Sequence, residues 1–332
     1  MLKKKPKKAA GVEEYVLING IHQYLFHSGT TNENPVLLFL HGGPGSAASL
    51  FAHAFQDKWE ELFTVIHWDQ RGTGKTLTRN PKSYPTLDVL LEDLLEIVHY
   101  LKSRYHKQKI VLLGHSWGSV LGSLFIKRHP EEVAYYIGVG QVINKRASER
   151  LIYAKVKEAI VQANDQGALN KLKALGDYPG EQFDTQWLKK SLQLRKLQRK
   201  YHLTMKSNIS PLKTLLTSPL FQLSDLSALI KGNKANKELM AFLGGFDLNT
   251  YPAEYQIPLY YIVGEQDWQT PAALTQDYVQ SINAPEKKLY TIPNAGHMTM
   301  IDQPALFLSI LRDIKNRQEE EAPGIDRPSP HL

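Results

Sequence analysis

Ser116 lies in a sequence pattern that suits nucleophilic catalysis. It is the serine of GHSWGS, which matches G-x-S-x-G with Gly114 and Gly118 on either side. The apolar run KIVLLG before it predicts a buried strand, and the residues after it, to about Arg128, predict a helix. Small residues permit such a sharp strand-to-helix turn, and the helix N-terminus directs backbone N–H groups toward the reacting oxygen. The segment therefore predicts a nucleophilic serine.

Asp267 and His297 are the predicted partners of this serine. A serine nucleophile needs a base and an acid that orients the base, and on a turn of this kind the chain order is serine, acid, histidine. Of the four histidines after Ser116, only His297, in PNAGHM, follows a predicted strand. Asp267, in VGEQDWQTP, follows the predicted strand LYYIVG and precedes a predicted helix. Because the carboxyl ends of parallel strands meet at one edge of a sheet, we predict that the three residues form a catalytic triad.

The segment HGGPG predicts an oxyanion hole. Attack on a carbonyl creates a negatively charged oxygen that needs two donors, usually the N–H after the nucleophile and one from the loop after the third strand. Here these are the backbone N–H groups of Trp117 and Gly43. The glycines permit close backbone approach, and Pro44 stiffens the loop.

The alternation of strands and helices predicts an α/β fold with a mostly parallel central sheet and helices on both faces. A hairpin turn at Asn19-Gly20 precedes the buried runs, and the pattern between two of these runs predicts a helix over about residues 47–61. The alternation stops after about residue 140, continues as a helical pattern, and resumes near residue 246, which predicts an inserted helical cap. The predicted division is a disordered basic arm (1–11), an α/β core (12–140 and 246–316), a helical cap (141–245) and a disordered tail (317–332).

The motifs HGGPG, DQRGTG and GHSWGS together resemble the proline iminopeptidase family of α/β-hydrolases, a clan of serine aminopeptidases with a helical cap. The resemblance covers residues from about 12 to 315, strongly in the core and weakly in the cap. It implies an α/β-hydrolase fold and an aminopeptidase that releases N-terminal residues, with proline favoured, from small peptides through an acyl-enzyme. It implies no cofactor and no metal.

Two other functions stay open at this point. A carboxylesterase or lipase-like hydrolase of small esters uses the same triad, and a non-catalytic binding protein is a third interpretation of the scaffold. The presence of Ser116, Asp267 and His297 favours catalysis over the last of these.

The resemblance also implies carboxylates that bind the amino group of the substrate. Glu238 lies near the position of the cap carboxylate, and Glu265 flanks the loop of the triad acid. Directly after Asp267, where some family members have a glutamate, this chain has Trp268. An indole offers a cation–π face or an apolar wall instead of a negative charge. The predicted substrate-binding residues are therefore Glu238, Trp268 and Glu265, and Trp268 favours the ester-hydrolase alternative.

The segment DQRGTGKT ends like a phosphate-binding loop, but Asp69 stands where that motif requires its first glycine. A carboxylate at this point repels a phosphate, so we expect no nucleotide site. The resemblance implies a structural loop near the active site instead, in which we expect Asp69 and Arg71 to pair.

Charge and composition exclude several other classes. Of the net charge of +7, five charges come from lysines between residues 3 and 8, and the remaining +2 gives no reason to expect nucleic-acid binding. The absence of cysteine excludes disulfides, zinc–thiolate sites and a cysteine nucleophile. No secretory signal pattern and no apolar run of membrane-spanning length is found, so we expect a cytoplasmic protein without membrane association. The sequence indicates no oligomeric state.

The predicted cap contains a strongly basic stretch. Residues 185–224 include no Asp or Glu but eight Lys and Arg side chains, with apolar residues between them at loosely helical spacing. This pattern predicts an amphipathic cap helix with a solvated basic face. The alternative is that the basic face contacts acidic peptides or anionic lipid surfaces.

Overall fold

A single sheet places the three predicted catalytic segments near one another. The computed structural model describes residues 11–29, 33–207 and 209–321. The strand order within these ranges is β1-β2-β4-β3-β5-β6-β7-β8, with β1 and β2 antiparallel to their neighbours and the others parallel. The strands are β1 (Gly11–Ile18), β2 (Ile21–Ser28), β3 (Val36–Leu40), β4 (Thr64–Asp69), β5 (Ile110–His115), β6 (Val133–Val139), β7 (Leu259–Gly264) and β8 (Lys287–Ile292).

Helices cover both faces of this sheet. The core helices are α1 (Gly74–Arg79), α2 (Leu87–Tyr105), α3 (Trp117–Arg128), α10 (Ala272–Ser281), α11 (Thr299–Asp302) and α12 (Pro304–Glu321). Alternate residues of β5 enter different apolar clusters, because successive side chains of a strand point to opposite faces. Leu112 packs in one cluster with Leu94 and Val120, whereas Leu113 packs in the other with Phe307. The arrangement confirms the predicted α/β-hydrolase fold.

Six further helices lie between β6 and β7, where the sequence predicts the inserted cap. They are α4 (Lys145–Gln162), α5 (Gln166–Lys173), α6 (Thr185–Lys200), α7 (Pro211–Thr217), α8 (Asp225–Ala235) and α9 (Lys237–Gly245). Side chains of α4, α5 and α6 form an apolar cluster of their own that includes Ile152, Leu172 and Leu194. Helix α8 packs directly on the HGGPG loop, where a Cβ atom added to Gly232 would lie 1.9 Å from the carbonyl oxygen of Gly45. No helix in the described ranges has both the length and the apolarity needed to cross a bilayer.

One predicted helix is replaced by two shorter ones. The sequence pattern predicts a helix over about 47–61, but the structure has 3₁₀ helices at Ser49–Ala54 and Trp59–Glu61. Lys58 separates them with a left-handed backbone (φ 65°), which ends a helix. Trp59, Phe55 and Phe39 pack together at this point, so burial of aromatic rings decides the local structure.

Both predicted chain-end boundaries need correction. Strand β1 begins at Gly11, which pairs with Ser28, so this residue does not belong to a disordered arm. Helix α12 extends to Glu321, so the residues from 317 to 321 are helical where the sequence predicts a disordered tail. Ion pairs four residues apart, Lys315–Glu319 and Arg317–Asp313, support these last turns. The rest of the predicted arm and tail lies outside the described residues.

The turn that carries Ser116 has no space for side chains on either side. A Cβ atom added to Gly118 would lie 2.0 Å from the carbonyl oxygen of Leu40 in β3. One added to Gly114 would lie 2.6 Å from the carbonyl oxygen of Gly118. The first turn of α3 therefore packs backbone to backbone against the sheet, which explains why G-x-S-x-G needs both glycines.

We expect Gly118→Ala to lower the free energy of unfolding by about 2–3 kcal/mol, because the new methyl group must displace backbone atoms. Gly167→Ala in α5 is the matched control. Its added Cβ meets only a side-chain oxygen of Asp165, at 3.5 Å, so about 0.5–1 kcal/mol of stabilisation is expected there. Urea unfolding followed by circular dichroism measures both variants. A Gly118→Ala protein as stable as the wild type would contradict the packing described here.

Candidate active site

Ser116 has a strained backbone at the carboxyl end of β5. Its φ of 53° and ψ of −117° lie outside the favoured regions for a residue with a side chain. The backbone N–H of Ser116 donates to the carbonyl of Val139, at the end of β6, over 3.0 Å. The serine lines a small cavity beneath the cap, together with Gly43 and Thr270.

His297 and Asp267 form a buried hydrogen-bonded pair at the ends of β7 and β8. His297 Nδ1 lies 2.8 Å from Asp267 Oδ2. Asp267 also accepts hydrogen bonds from the N–H groups of Gln269 (2.8 Å) and Thr270 (3.0 Å) and from the Thr270 hydroxyl (2.8 Å). Burial alone would raise the pKa of Asp267, but the imidazole and these donors outweigh it and hold the pKa below its usual range. The ionised Asp267 therefore accepts the Nδ1–H of His297, which leaves Nε2 as the proton acceptor.

The ring of His297 packs beside the turn that carries the serine. Its centroid lies 4.9 Å from that of His115, the residue before Ser116. A Cβ atom added to Gly140, the residue after Val139, would lie 2.9 Å from His297 Cε1. His115 donates from Nε2 to the carbonyl of His297 (3.2 Å), and burial followed by the nearby His297 lowers the pKa of His115 to about 3. The structure therefore brings the three predicted triad residues to one end of the sheet.

The HGGPG loop is held by its own histidine. The N–H of Gln70 donates to His41 Nε2 over 3.2 Å, so the proton of this neutral imidazole is on Nδ1. Burial lowers the pKa of His41 to about 4, which keeps the ring neutral. Nδ1–H donates to the carbonyl of Gly42 over 2.8 Å. Because the C=O and N–H of a trans peptide point in opposite directions, this bond fixes the direction of the N–H of Gly43, the predicted oxyanion donor.

Gln70 connects the two predicted oxyanion donors, a role that the sequence did not reveal. Its side-chain amide donates to the carbonyl of His41 (3.3 Å), and its Oε1 accepts the indole N–H of Trp117 (3.0 Å). Both Gln70 and Trp117 are buried. The DQRGTG loop therefore ties the HGGPG loop to the first residue of α3.

The other residues of DQRGTGKT have structural partners that differ from the predicted ones. Arg71 binds both carboxylate oxygens of Asp93 in α2, at 2.7 and 2.8 Å, so the predicted pairing with Asp69 is wrong. Asp69 instead accepts the backbone N–H of Lys75 over 2.8 Å. The ammonium group of Lys75 lies 3.3 Å from the carboxylate of Asp225 in cap helix α8. The two hydrogen bonds from Arg71 to Asp93 form the planar, bidentate geometry that a guanidinium favours.

Two cations face the cavity that contains Ser116. The cavity measures about 140 Å³. Its lining residues are Gly43, Ser116, Val142, Lys145, Ser148, Arg195, Leu243, Gln269 and Thr270. None of these lining residues is an aspartate or a glutamate. The only charged groups on the described wall are therefore Lys145 of α4 and Arg195 of α6.

Both cations share one carboxylate behind the wall. Glu149 Oε1 accepts hydrogen bonds from Lys145 and Arg195, and Oε2 accepts one from the hydroxyl of Tyr178. Burial by itself would raise the pKa of Glu149, but the two cations outweigh it and hold the pKa at about 2. Burial also lowers the pKa of Lys145, and ion pairing with Glu149 opposes this shift. With all three side chains ionised, Lys145, Arg195 and Glu149 together have a net charge of +1.

The three predicted substrate-binding residues are not among the residues that line this cavity. Glu238 is exposed on α9, and Glu265 is exposed beside the histidine loop, where it accepts the N–H of Asn294 over 3.3 Å. Trp268 packs against the cap cluster, with the ammonium group of Lys155 5.0 Å from its ring centroid. Its cation–π partner is thus a lysine of this chain. The structure brings the three predicted triad residues to one end of the sheet, but none of these three predicted substrate-binding residues lines the cavity that contains Ser116.

Helical spacing in α6 contains the signal that would have identified Arg195. Lys189, Lys196 and Arg199 are exposed, as the amphipathic pattern predicts. Arg195 lies four residues after Ser191 and three before Gln198, and both of these are buried. Residues at these spacings share one helix face, so Arg195 belongs to the face that points inward.

The sequence profile of the α/β-hydrolase fold matches residues 35–304. The chain belongs to this family. A protein named probable aminopeptidase YbaC, from Bacillus subtilis (strain 168), is 28% identical over 307 residues, which cover 92% of this chain and 96% of that protein. A protein named proline iminopeptidase, from Heyndrickxia coagulans, is 25% identical over 283 residues, covering 85% of this chain and 90% of the relative.

Solved structures show the same fold. The proline iminopeptidase of Mycobacterium smegmatis superposes with a TM-score of 0.65 at 18% identity, covering 93% of this chain and 99% of the other. The esterase EaEST from Exiguobacterium antarcticum gives a TM-score of 0.60 at 15% identity, covering 92% and 100% of the two chains. The fold is therefore shared by a peptidase and an esterase and does not discriminate between them.

We expect Gln70→Met to reduce kcat by about 10–100-fold with a smaller effect on KM, because both predicted oxyanion donors lose their support while the substrate contacts persist. The substitution also leaves the buried indole N–H of Trp117 without a partner, which costs about 1–3 kcal/mol of stability. Steady-state kinetics and urea unfolding measure the two effects.

Trp117→Phe is the control, because it removes the indole N–H that donates to Gln70 and keeps the backbone N–H of residue 117. In the double variant the two stability losses should be less than additive, since the orphaned N–H is gone. Fully additive losses would contradict the proposed link between the two loops.

Glu149→Gln should destabilise the protein in a pH-dependent manner. The folded-state pKa of about 2 lies below the ordinary 4.5, so ionised Glu149 stabilises the fold fully above pH 4.5 and this contribution is lost as the pH falls toward 2. We expect a difference in unfolding free energy of about 3 kcal/mol between wild type and variant at pH 6.5. The difference should be clearly smaller at pH 3.5.

Urea unfolding at the two pH values tests this expectation. Glu158→Gln is the matched control on the same helix, since its half-exposed carboxylate has only surface contacts in the described residues, an ion pair with Lys155 and a hydrogen bond from Gln162. It should change stability by less than about 0.5 kcal/mol. A pH-independent difference for Glu149→Gln would mean that Glu149 is not ionised in the folded state.

Proposed function

We propose that this protein is a serine hydrolase that cleaves an acyl bond through a covalent acyl-enzyme. The observation that carries the proposal is the buried Asp267–His297 pair, joined over 2.8 Å and packed beside the strained turn of Ser116. Buried imidazole–carboxylate pairs next to a serine on such a turn are the arrangement that nucleophilic catalysis requires.

In the proposed reaction, Nε2 of His297 takes the proton of the Ser116 hydroxyl as Oγ attacks the acyl carbon. Asp267 stabilises the imidazolium through Nδ1–H. The N–H groups of Gly43 and Trp117 hold the negative oxygen of the tetrahedral intermediate. The imidazolium then gives its proton to the leaving group as the bond to the acyl carbon breaks. Water, deprotonated by the same imidazole, releases the acyl group and restores the serine.

An aminopeptidase that releases N-terminal residues from small peptides, with proline favoured, is the leading substrate assignment. It is supported by the motifs HGGPG, DQRGTG and GHSWGS and by relatives named aminopeptidase and proline iminopeptidase that align along most of the chain. An aminopeptidase must also accommodate a substrate ammonium group.

An ester hydrolase is the second candidate, and the charge of the cavity favours it. The described cavity wall has two cations and no carboxylate. Like charges in a poorly solvated site repel, so this wall disfavours an ammonium group placed against it. A neutral or anionic ester meets no such penalty.

A paired hydrolysis assay distinguishes the candidates. Proline p-nitroanilide and short-chain p-nitrophenyl esters are compared by kcat/KM, in wild type and in Ser116→Ala, which should lose about 10⁴-fold or more on every true substrate. Cleavage of the anilide that is lost when the prolyl amine is acetylated supports the aminopeptidase. Ester cleavage without anilide cleavage supports the ester hydrolase.

Covalent labelling provides the control for catalysis itself. A fluorophosphonate probe should label the wild type at Ser116 and fail to label Ser116→Ala. Absence of labelling in a folded wild-type protein would contradict the proposed mechanism and favour a non-catalytic binding role.

A further inference from the structure

The charges around Lys145 and Arg195 are not balanced within the described structure. The two cations are countered by one carboxylate, that of Glu149, whose side chain is 0% exposed. The other buried carboxylate of the site, Asp267, accepts hydrogen bonds from His297 and from Gln269 and Thr270, and it does not line the cavity. A net charge of +1 is therefore left at the cavity wall.

Glu149 is engaged by three donors of this chain and does not line the cavity. One of its oxygens accepts from Lys145 and Arg195, and the other accepts from the hydroxyl of Tyr178. Its buried position and its pKa of about 2 show a carboxylate committed to its two cations. It holds the cationic groups in place and does not offer an anchor for an ammonium group.

The cations, by contrast, have donors to spare. Among the described contacts, Lys145 uses one N–H on Glu149, and Arg195 uses two, one on Glu149 and one on Gln198 (2.7 Å). An ammonium group has three N–H donors and a guanidinium has five. The two side chains are only 13% and 16% exposed, and both line the cavity. The remaining donors are therefore available to an acceptor in the cavity.

The first turn of α4 adds to this positive potential. Lys145 is the first residue of this 18-residue helix, and Ser148, which also lines the cavity, lies in the same turn. A helix N-terminus carries partial positive charge and favours an anion. The dipole of α4 and the charges of Lys145 and Arg195 therefore both favour an anion in the cavity.

From this arrangement we infer that the substrate carries a carboxylate, which binds Lys145 and Arg195 while the acyl carbon lies at Ser116. The inference rests on the proposed hydrolase function and names its substrate class. Because the cavity of about 140 Å³ is small, the carboxylate is separated from the scissile bond by only a few atoms. It belongs either to the acyl part, as in a half-ester of a dicarboxylic acid, or to the leaving part, as in the free C-terminus of a dipeptide.

Two matched substrate pairs test the inference and separate these sources. The acyl arm compares the p-nitrophenyl half-ester of glutaric acid with its methyl ester. The leaving-group arm compares the dipeptide Pro-Ala with Pro-Ala amide. We expect kcat/KM to be about 10–100-fold higher for the carboxylate in one of the two pairs, the range for a hydrogen-bonded charged group. Ser116→Ala supplies the background rate for each substrate.

Arg195→Met should reduce this preference for the carboxylate by at least about tenfold. Arg199→Met is the matched control, because Arg199 lies one turn further along α6 with its side chain exposed to solvent. It should leave the preference unchanged. An equal loss of preference in both variants would overturn the inference.

A measurement on the wild type avoids any effect of the variants on folding. Glutarate should inhibit the hydrolysis of a neutral p-nitrophenyl ester competitively, and the uncharged glutaramide should inhibit at least about tenfold more weakly. Equal inhibition by the two compounds, or equal kcat/KM within both substrate pairs, would overturn the inference while Ser116-dependent turnover still upheld the hydrolase. Absence of Ser116-dependent turnover on every substrate would overturn the hydrolase function and the inference with it.

Discussion

The backbone conformation of Ser116 is the constraint on which the rest of the site depends. A residue with a side chain adopts φ 53° and ψ −117° only where its surroundings leave no alternative. Here the surroundings are the carbonyl of Val139, which accepts the serine N–H, and the close contact of Gly118 with Leu40. These contacts join β3, β5, β6 and α3 at one point. The contacts that stabilise the sheet at this point also fix the position of Ser116, so stability and the placement of the predicted nucleophile have the same physical origin.

Around this turn, His41 and His115 act as structural hydrogen-bonding groups, whereas His297 pairs with a carboxylate. His41 and His115 are buried, and burial lowers the pKa of each far enough to keep the rings uncharged. Each uses its ring nitrogens to hold backbone carbonyls, one in the HGGPG loop and one at His297. Of these three histidines, only His297 has a carboxylate partner, Asp267. The difference between a positioning histidine and the predicted proton acceptor is thus set by the neighbours of each ring and not by the residue type.

The cap supplies charged side chains to the cavity wall in addition to covering the cavity. Helices α4 and α6 supply the two cations of the cavity wall, and Glu149 behind them sets their positions. Helix α8 contacts the HGGPG loop through Gly232, and Asn236 donates to the carbonyl of Gly72 over 2.8 Å. The cap therefore contacts both loops that support the predicted oxyanion donors. A change of cap sequence on this core can alter the charge of the cavity without altering the triad.

The sequence by itself determined the fold class, the strand–turn–helix at Ser116 and the candidate acid and base, because periodicity, glycine spacing and strand ends are local patterns. It did not determine contacts between distant segments. Arg71 has two candidate carboxylates within the core, and only the packing of α2 places Asp93 against its guanidinium. Glu238, Trp268 and Glu265 were chosen from their positions along the chain, whereas the cavity wall is formed by Lys145 and Arg195, fifty residues apart on different helices. Tertiary structure decided the charge of the site, because that charge depends on which side chains of separate helices meet in the folded chain.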